Sequence, residues 1–157
     1  MAARSPILPG SKPLVPPRRP HVVPRVVPQL PYADILAAID FLERGFGFRE
    51  IPEARIEHAN GIHAELELGE ARIMLGGPGD HGTHPPTGGT GASCHLTCYV
   101  DDVDDHFERA RAAGATILVE LADTFWGERC YEALDPEGHR WRFHGFLGRR
   151  LPIQGDD

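Results

Sequence analysis

Two short stretches carry chemistry at a spacing of two: His95, Thr97 and Tyr99 in one, and Arg140, Arg142 and His144 in the other. Residues two apart share a face of a β-strand, so each triple forms a polar row. An imidazole in such a row contacts a ligand or moves a proton. Two guanidiniums two apart clamp an anionic or carbonyl-bearing ligand, unless one of them is spent on Glu65 or Glu67. Gln29, Arg72 and Met74 fall on the polar faces of two further strand-like stretches, where Met74 offers a soft wall for an apolar or aromatic group. Tyr99 and Trp126 supply flat rings for stacking. The remaining reactive types read as structural. His81 and His84 form an HGTH pair without a third metal ligand, His58 and His63 flank a turn, and His139 belongs to a Gly-His-Arg-Trp run. The GGPG and GGTG stretches lack the GK[ST] of a phosphate loop and open no helix.

The elements that hold these residues repeat. A proline-rich basic arm covers 1–25, with Pro6, Pro9, Pro13, Pro16, Pro17, Pro20 and Pro24, and is expected to be extended or disordered. A Gly/Pro-rich linker covers 76–91, and a tail covers 147–157. Between them lie two modules, 26–75 and 92–146, and each reads β-α-β-β-β. Val26–Asp34 and Cys94–Asp102 are the opening strands, each ending in an aspartate. Ile35, Ile39, Leu42 and Phe46 recur at helical spacing in the first module. Val103, Phe107, Ala110 and Ala113 do so in the second, up to a C-cap at Gly114. Strands are expected over 49–58, 62–68 and 71–75, with an Asn60-Gly61 turn, and over 116–122, 128–134 and 139–144. The fold class is α+β, two tandem βαβββ modules forming a curved mixed sheet with a concave cleft. Trp141, Phe143, Leu96 and Cys98 belong beneath the helices, and Cys94 is expected with them as a small core residue.

Composition narrows the function. The 157 residues carry a net charge of −7, yet the five cations of the arm meet no acid. The folded body is therefore strongly acidic, which disfavours nucleic acid as a partner. No apolar run reaches the roughly 18 residues of a membrane span, and no secretory h-region is visible. Three cysteines without a CxxC pair make no disulfide framework and no structural zinc site. A cytoplasmic setting follows as the expectation.

The order of elements, with LPYADILAAIDFLERGFGF in the first module and CHLTCYVDDVDDHFERARAAGATILVE and FWGERCYEALDPEGHRW in the second, resembles the glyoxalase/bleomycin-resistance/extradiol-dioxygenase (vicinal oxygen chelate) superfamily. Phe125 to Trp141 looks most like its PhnB-like and bleomycin-resistance-like subgroup. The superfamily's metalloenzymes take a histidine or glutamine from the first strand and a glutamate from the last strand of each module. Carried over position by position, the resemblance places Val27, Met74, His95 and Arg142 at those four points. A register shifted by one pleat brings Gln29 toward the site instead. One imidazole does not hold a catalytic metal, and Arg142 is a cation where the ion would sit. The resemblance thus implies a metal-independent small-molecule-binding protein without a cofactor, similar to the drug-sequestering bleomycin-resistance branch, and a homodimer. The alternative is a metal-dependent lyase, isomerase or dioxygenase, and the sequence leaves open whether the chain is an enzyme. A protein-binding role for the arm is a third class. The expected floor of the ligand site is His95, Thr97, Tyr99, Arg140, Arg142 and His144, completed by Gln29, Arg72 and Met74, with Trp126 at one rim.

Overall fold

A computed structural model describes residues 24–59, 61–79, 82–86 and 92–147. Most of the arm, Asn60, His81, part of the linker and all but the first residue of the tail lie outside the described residues. The first module opens with β1 (Gln29–Pro31), parallel to β5. This strand is shorter than expected because Pro28 and Pro31 carry no N–H for a ladder. Asp34 follows and accepts from the backbone N–H of Ala37, capping α1 (Ile35–Phe46). Ile35, Ala38, Ile39, Leu42 and Phe46 are buried along one stripe of that helix. Gly47, at φ 76°, ends it.

The single strand expected over 49–58 is two pieces, β2 (Arg49–Glu50) and β3 (Ile56–His58), separated by a 3-10 turn at Pro52–Ala54. Pro52 cannot donate to a ladder, so the strand breaks there. β4 (Gly61–Leu68) and β5 (Ala71–Gly76) complete a sheet ordered β1-β5-β4-β2, with β3 also on β4. The second module repeats the plan with β6 (His95–Tyr99), α2 (Val103–Ala112), β7 (Thr116–Asp123), β8 (Glu128–Leu134) and β9 (Arg140–Phe146), in the order β6-β9-β8-β7. Asp102 caps α2 through Asp105 N–H. The helix closes at Ala113, one residue before the expected Gly114. Cys98 packs against the core but Cys94 is exposed, because it precedes β6 and lies outside the alternation.

The modules join back to back. Their main contact is α1 against α2, and the two sheets share no ladder. Gly45 permits the close approach, since a Cβ there would lie 3.0 Å from Ala113 Cβ. The Arg109 guanidinium donates to the carbonyls of Glu43 and Arg44, satisfying the open end of the other helix. Trp141 and Phe143 are fully buried, and Phe46 packs on both rings. The Asp135-Pro-Glu-Gly-His139 turn latches the second module onto the first. Asp135 accepts from Tyr32 Oη at 2.5 Å and Trp141 Nε1 at 3.0 Å. Glu137 accepts the backbone N–H groups of Ala33 and Asp34, and His139 Nε2 donates to Pro31 O. His139 is therefore a structural histidine.

Candidate functional site

On β6, β9 and β8 the side chains facing away from α2 form cross-strand rows. His95 lies opposite Arg140, Thr97 opposite Arg142 and Tyr99 opposite His144, while Glu132 flanks Arg142 on the other side. His95, Thr97 and Tyr99 are exposed, Arg140 and Arg142 half-buried, and His144 buried. Arg140 is spent on Glu132, Nε to Oε1 at 2.7 Å, and that carboxylate raises its already high proton affinity. The guanidinium of Arg142 makes no hydrogen bond or ion pair among the described residues. The partners foreseen for these arginines hold other cations instead: Glu65 holds Arg72 and Glu67 holds Arg49.

Below this row, one carboxylate gathers three donors. Glu128 accepts from His144 Nδ1 at 2.6 Å, Trp126 Nε1 at 2.9 Å and Tyr99 Oη at 3.2 Å. Burial alone would raise its pKa. The hydrogen bonds from Trp126 and His144, the charge on His144 and the hydrogen bond from Tyr99 together outweigh burial and hold it below the ordinary carboxylate range. Tyr99 is shifted upward, by desolvation and then by the Glu128 charge and hydrogen bond. Around the cluster stands an aromatic wall. Tyr99 stacks on Phe146 with ring centres 5.3 Å apart, and Phe125 meets Trp126 edge-on at 4.8 Å. Phe125 is 98% exposed and Phe146 64%, which is unusual for rings this large unless something covers them.

Gln29, Met74 and Arg72 stand apart from this set. Gln29 pairs with Met74 and Met74 with Glu65 on the polar face of the first sheet, where Arg72 donates to Glu65 at 2.9 Å. The helices separate the two polar faces, so one chain does not bring these residues to the Arg142 row. On the side of the first sheet a cavity of about 550 Å³ is lined by Arg72, Glu67, Arg49 and the Glu50–Glu53 segment. The cleft between the modules, about 350 Å³, is lined by Phe46, Gly47, Leu68, Tyr99 and the start of α2, and Arg142 is not part of its lining. Asp102 and Arg109 there are already committed to a cap and to helix carbonyls.

The four positions at which the resemblance implies metal ligands do not fit a metal. Val27 and Arg142 offer no lone pair, Met74 offers a thioether on the other sheet, and His95 alone is an ordinary donor. Among the described residues no three His, Cys, Asp or Glu side chains converge. Sequence reasoning missed Glu128, Glu132 and Phe146. Period-two alternation through β8 puts Glu128, Cys130 and Glu132 on the face of His144 and Arg142, and that signal was available.

A family model described as Glyoxalase/Bleomycin resistance protein/Dioxygenase superfamily matches residues 18–143. An uncharacterized protein of Mycobacterium bovis is 36% identical over 127 residues, covering 77% of this chain and 82% of its own. The crystal structure of TioX from Micromonospora sp. ML1 is 34% identical with a TM-score of 0.61, covering 82% of this chain and 100% of that one. TnmS3, an antibiotic binding protein from Streptomyces sp. CB03234, shares the fold at 21% identity and a TM-score of 0.60, covering 80% of this chain and 99% of its own.

Proposed function

Since the chain belongs to the Glyoxalase/Bleomycin resistance protein/Dioxygenase superfamily, we propose that it binds a small organic molecule without a metal, on the polar face of the second sheet. The observation that carries this reading is Arg142, a guanidinium without a hydrogen-bond or ion-pair partner among the described residues, where the superfamily's metalloenzymes place a glutamate. A permanent cation there repels a metal ion and attracts an anionic or carbonyl oxygen. The aromatic wall of Tyr99, Trp126 and Phe146 supplies contact for a flat group, as such rings do in small-molecule sites. TnmS3 is an example of this fold in an antibiotic binding protein. No step of proton, electron or group transfer is needed, and sequestration is the whole function.

The face is open in one chain, so a second copy supplies the missing wall. β1 and β6 are edge strands with free ladder positions, and exposed edges of this kind are ordinarily covered. In the proposed homodimer the first-sheet residues Gln29, Arg72 and Met74 of one protomer approach the Arg142 row of its partner. Thermal shift against a library of aromatic and drug-like compounds tests the reading, with elemental analysis of the untagged protein alongside. Stabilisation by an aromatic compound with no stoichiometric metal supports it. Stoichiometric nickel, zinc, iron or manganese overturns it, and a monomeric mass by light scattering at micromolar concentration removes the dimer.

A further inference from the structure

His144 carries a hydrogen-bonding atom that no described residue uses. Its Nε2 is buried and without a partner, the one such side-chain atom among the described residues. The other nitrogen is fixed: a carboxylate only accepts, so the 2.6 Å contact with Glu128 places the proton on Nδ1. Nε2 is then a bare lone pair in the neutral ring, or an N–H in the charged one. The ring packed against it, Tyr99 at 5.4 Å between centres, is 54% exposed. The imidazole thus packs against a ring that itself reaches solvent.

The chemistry of what fits is narrow. An amide N–H satisfies only the neutral imidazole, and a carbonyl satisfies only the charged one. A hydroxyl satisfies both, as O–H···N or as O···H–N⁺, and an ionisable one also as the charge-assisted O⁻···H–N⁺. Arg142, two residues along the same face and itself unpartnered among the described residues, favours the form with charge on oxygen. The exposed rings of Tyr99, Trp126 and Phe146 favour a flat carrier for that hydroxyl. We propose that this face selects a flat ring bearing an acidic hydroxyl, a phenol or an enol, with the oxygen seated on His144 Nε2 and Glu128 orienting the imidazole from behind. This rests on the ligand-binding reading above and goes further by naming the ligand class.

Fluorescence titration with 7-hydroxycoumarin and with 7-methoxycoumarin separates the two claims. The pair shares its ring and differs in the hydroxyl hydrogen. The wild-type protein is expected to bind the hydroxyl compound at least tenfold more tightly. His144→Phe fills the same buried slot without the nitrogen, and is expected to bring the hydroxyl compound down to the affinity of the ether for the same variant. Glu128→Gln removes the charge behind the ring and is expected to shrink the preference several-fold, an independent check if His144→Phe does not fold. Equal wild-type affinities, or a preference that survives His144→Phe, overturn this inference and leave the ligand-binding reading standing. Binding of neither compound overturns the flat-ring assignment itself.

Discussion

Arg142 and Arg140 differ by two positions and by everything that matters for function. Arg140 is held by Glu132, whereas Arg142 has no hydrogen-bond or ion-pair partner among the described residues. Arg142→Ala is therefore expected to weaken ligand binding by about 1–3 kcal/mol, the scale of a lost charge-assisted hydrogen bond. Its unfolding free energy should stay within about 0.5 kcal/mol of wild type, since no hydrogen bond or ion pair among the described residues is removed. Calorimetric titration and urea denaturation of the same variant measure both; unchanged affinity removes Arg142 from the site. Asp135 shows the opposite case. It is 3% exposed and accepts from Tyr32, Trp141 and two backbone N–H groups, so Asp135→Ala strands several donors in the core and should cost about 3–5 kcal/mol. A loss under 1 kcal/mol in denaturant would show that the latch is dispensable. Which residues share a face was legible in the sequence, because alternation is a local property. Which of two neighbouring arginines is free was not, because Glu132 and Arg140 meet only after β8 folds onto β9. Glu128 was missed for a related reason: its partners Tyr99, Trp126 and His144 come from three separate segments.

At the scale of elements, capping aspartates, helical stripes and turn glycines announced α1, α2 and most strands. The departures have local causes. Pro52 divides the expected 49–58 strand, and the prolines around β1 shorten it. The sequence did not reveal that the helices pack on each other with the polar faces turned apart, since helix-to-helix closeness depends on one glycine. Gly45 tests this. Replacing it with Ala gains about 1 kcal/mol of helix propensity, and the single methyl, 3.0 Å from Ala113 Cβ, costs a comparable amount. Gly45→Ala should be near neutral. Gly45→Leu adds three further carbons with nowhere to go, and overpacking of this kind costs about 1–3 kcal/mol beyond that. Equal stability of the Ala and Leu variants would show that the helix interface yields freely.

The whole molecule is two sheets held by one central seam, and a histidine sits in it. His106 donates from Nε2 to Phe46 O of the first module at 2.9 Å and accepts the Tyr131 hydroxyl at Nδ1, at 2.7 Å. Both nitrogens are used in the neutral form, and a second proton would turn the tyrosine contact around, with Nδ1 donating and the hydroxyl accepting. Burial is the main reason its pKa is lowered. The hydrogen bond to Phe46 opposes that, the Arg109 charge adds to it, and Asp105 opposes it weakly. The unfolded chain titrates near the ordinary histidine value of about 6.5. Below that pH the unfolded state binds a proton that the folded state refuses. Stability should therefore fall with pH from about 6.5 downward, until the folded histidine titrates in turn, and should be complete above neutrality. His106→Gln keeps polar atoms in the slot but cannot take up the proton. It should be less stable than wild type at pH 7.5, yet lose less on going to pH 5.5. Urea denaturation of both proteins at the two pH values gives the four numbers required. An equal loss in the two proteins would assign the acid sensitivity to groups outside the seam, and His106 would then be a packing residue whose charge state is irrelevant to how the modules hold together.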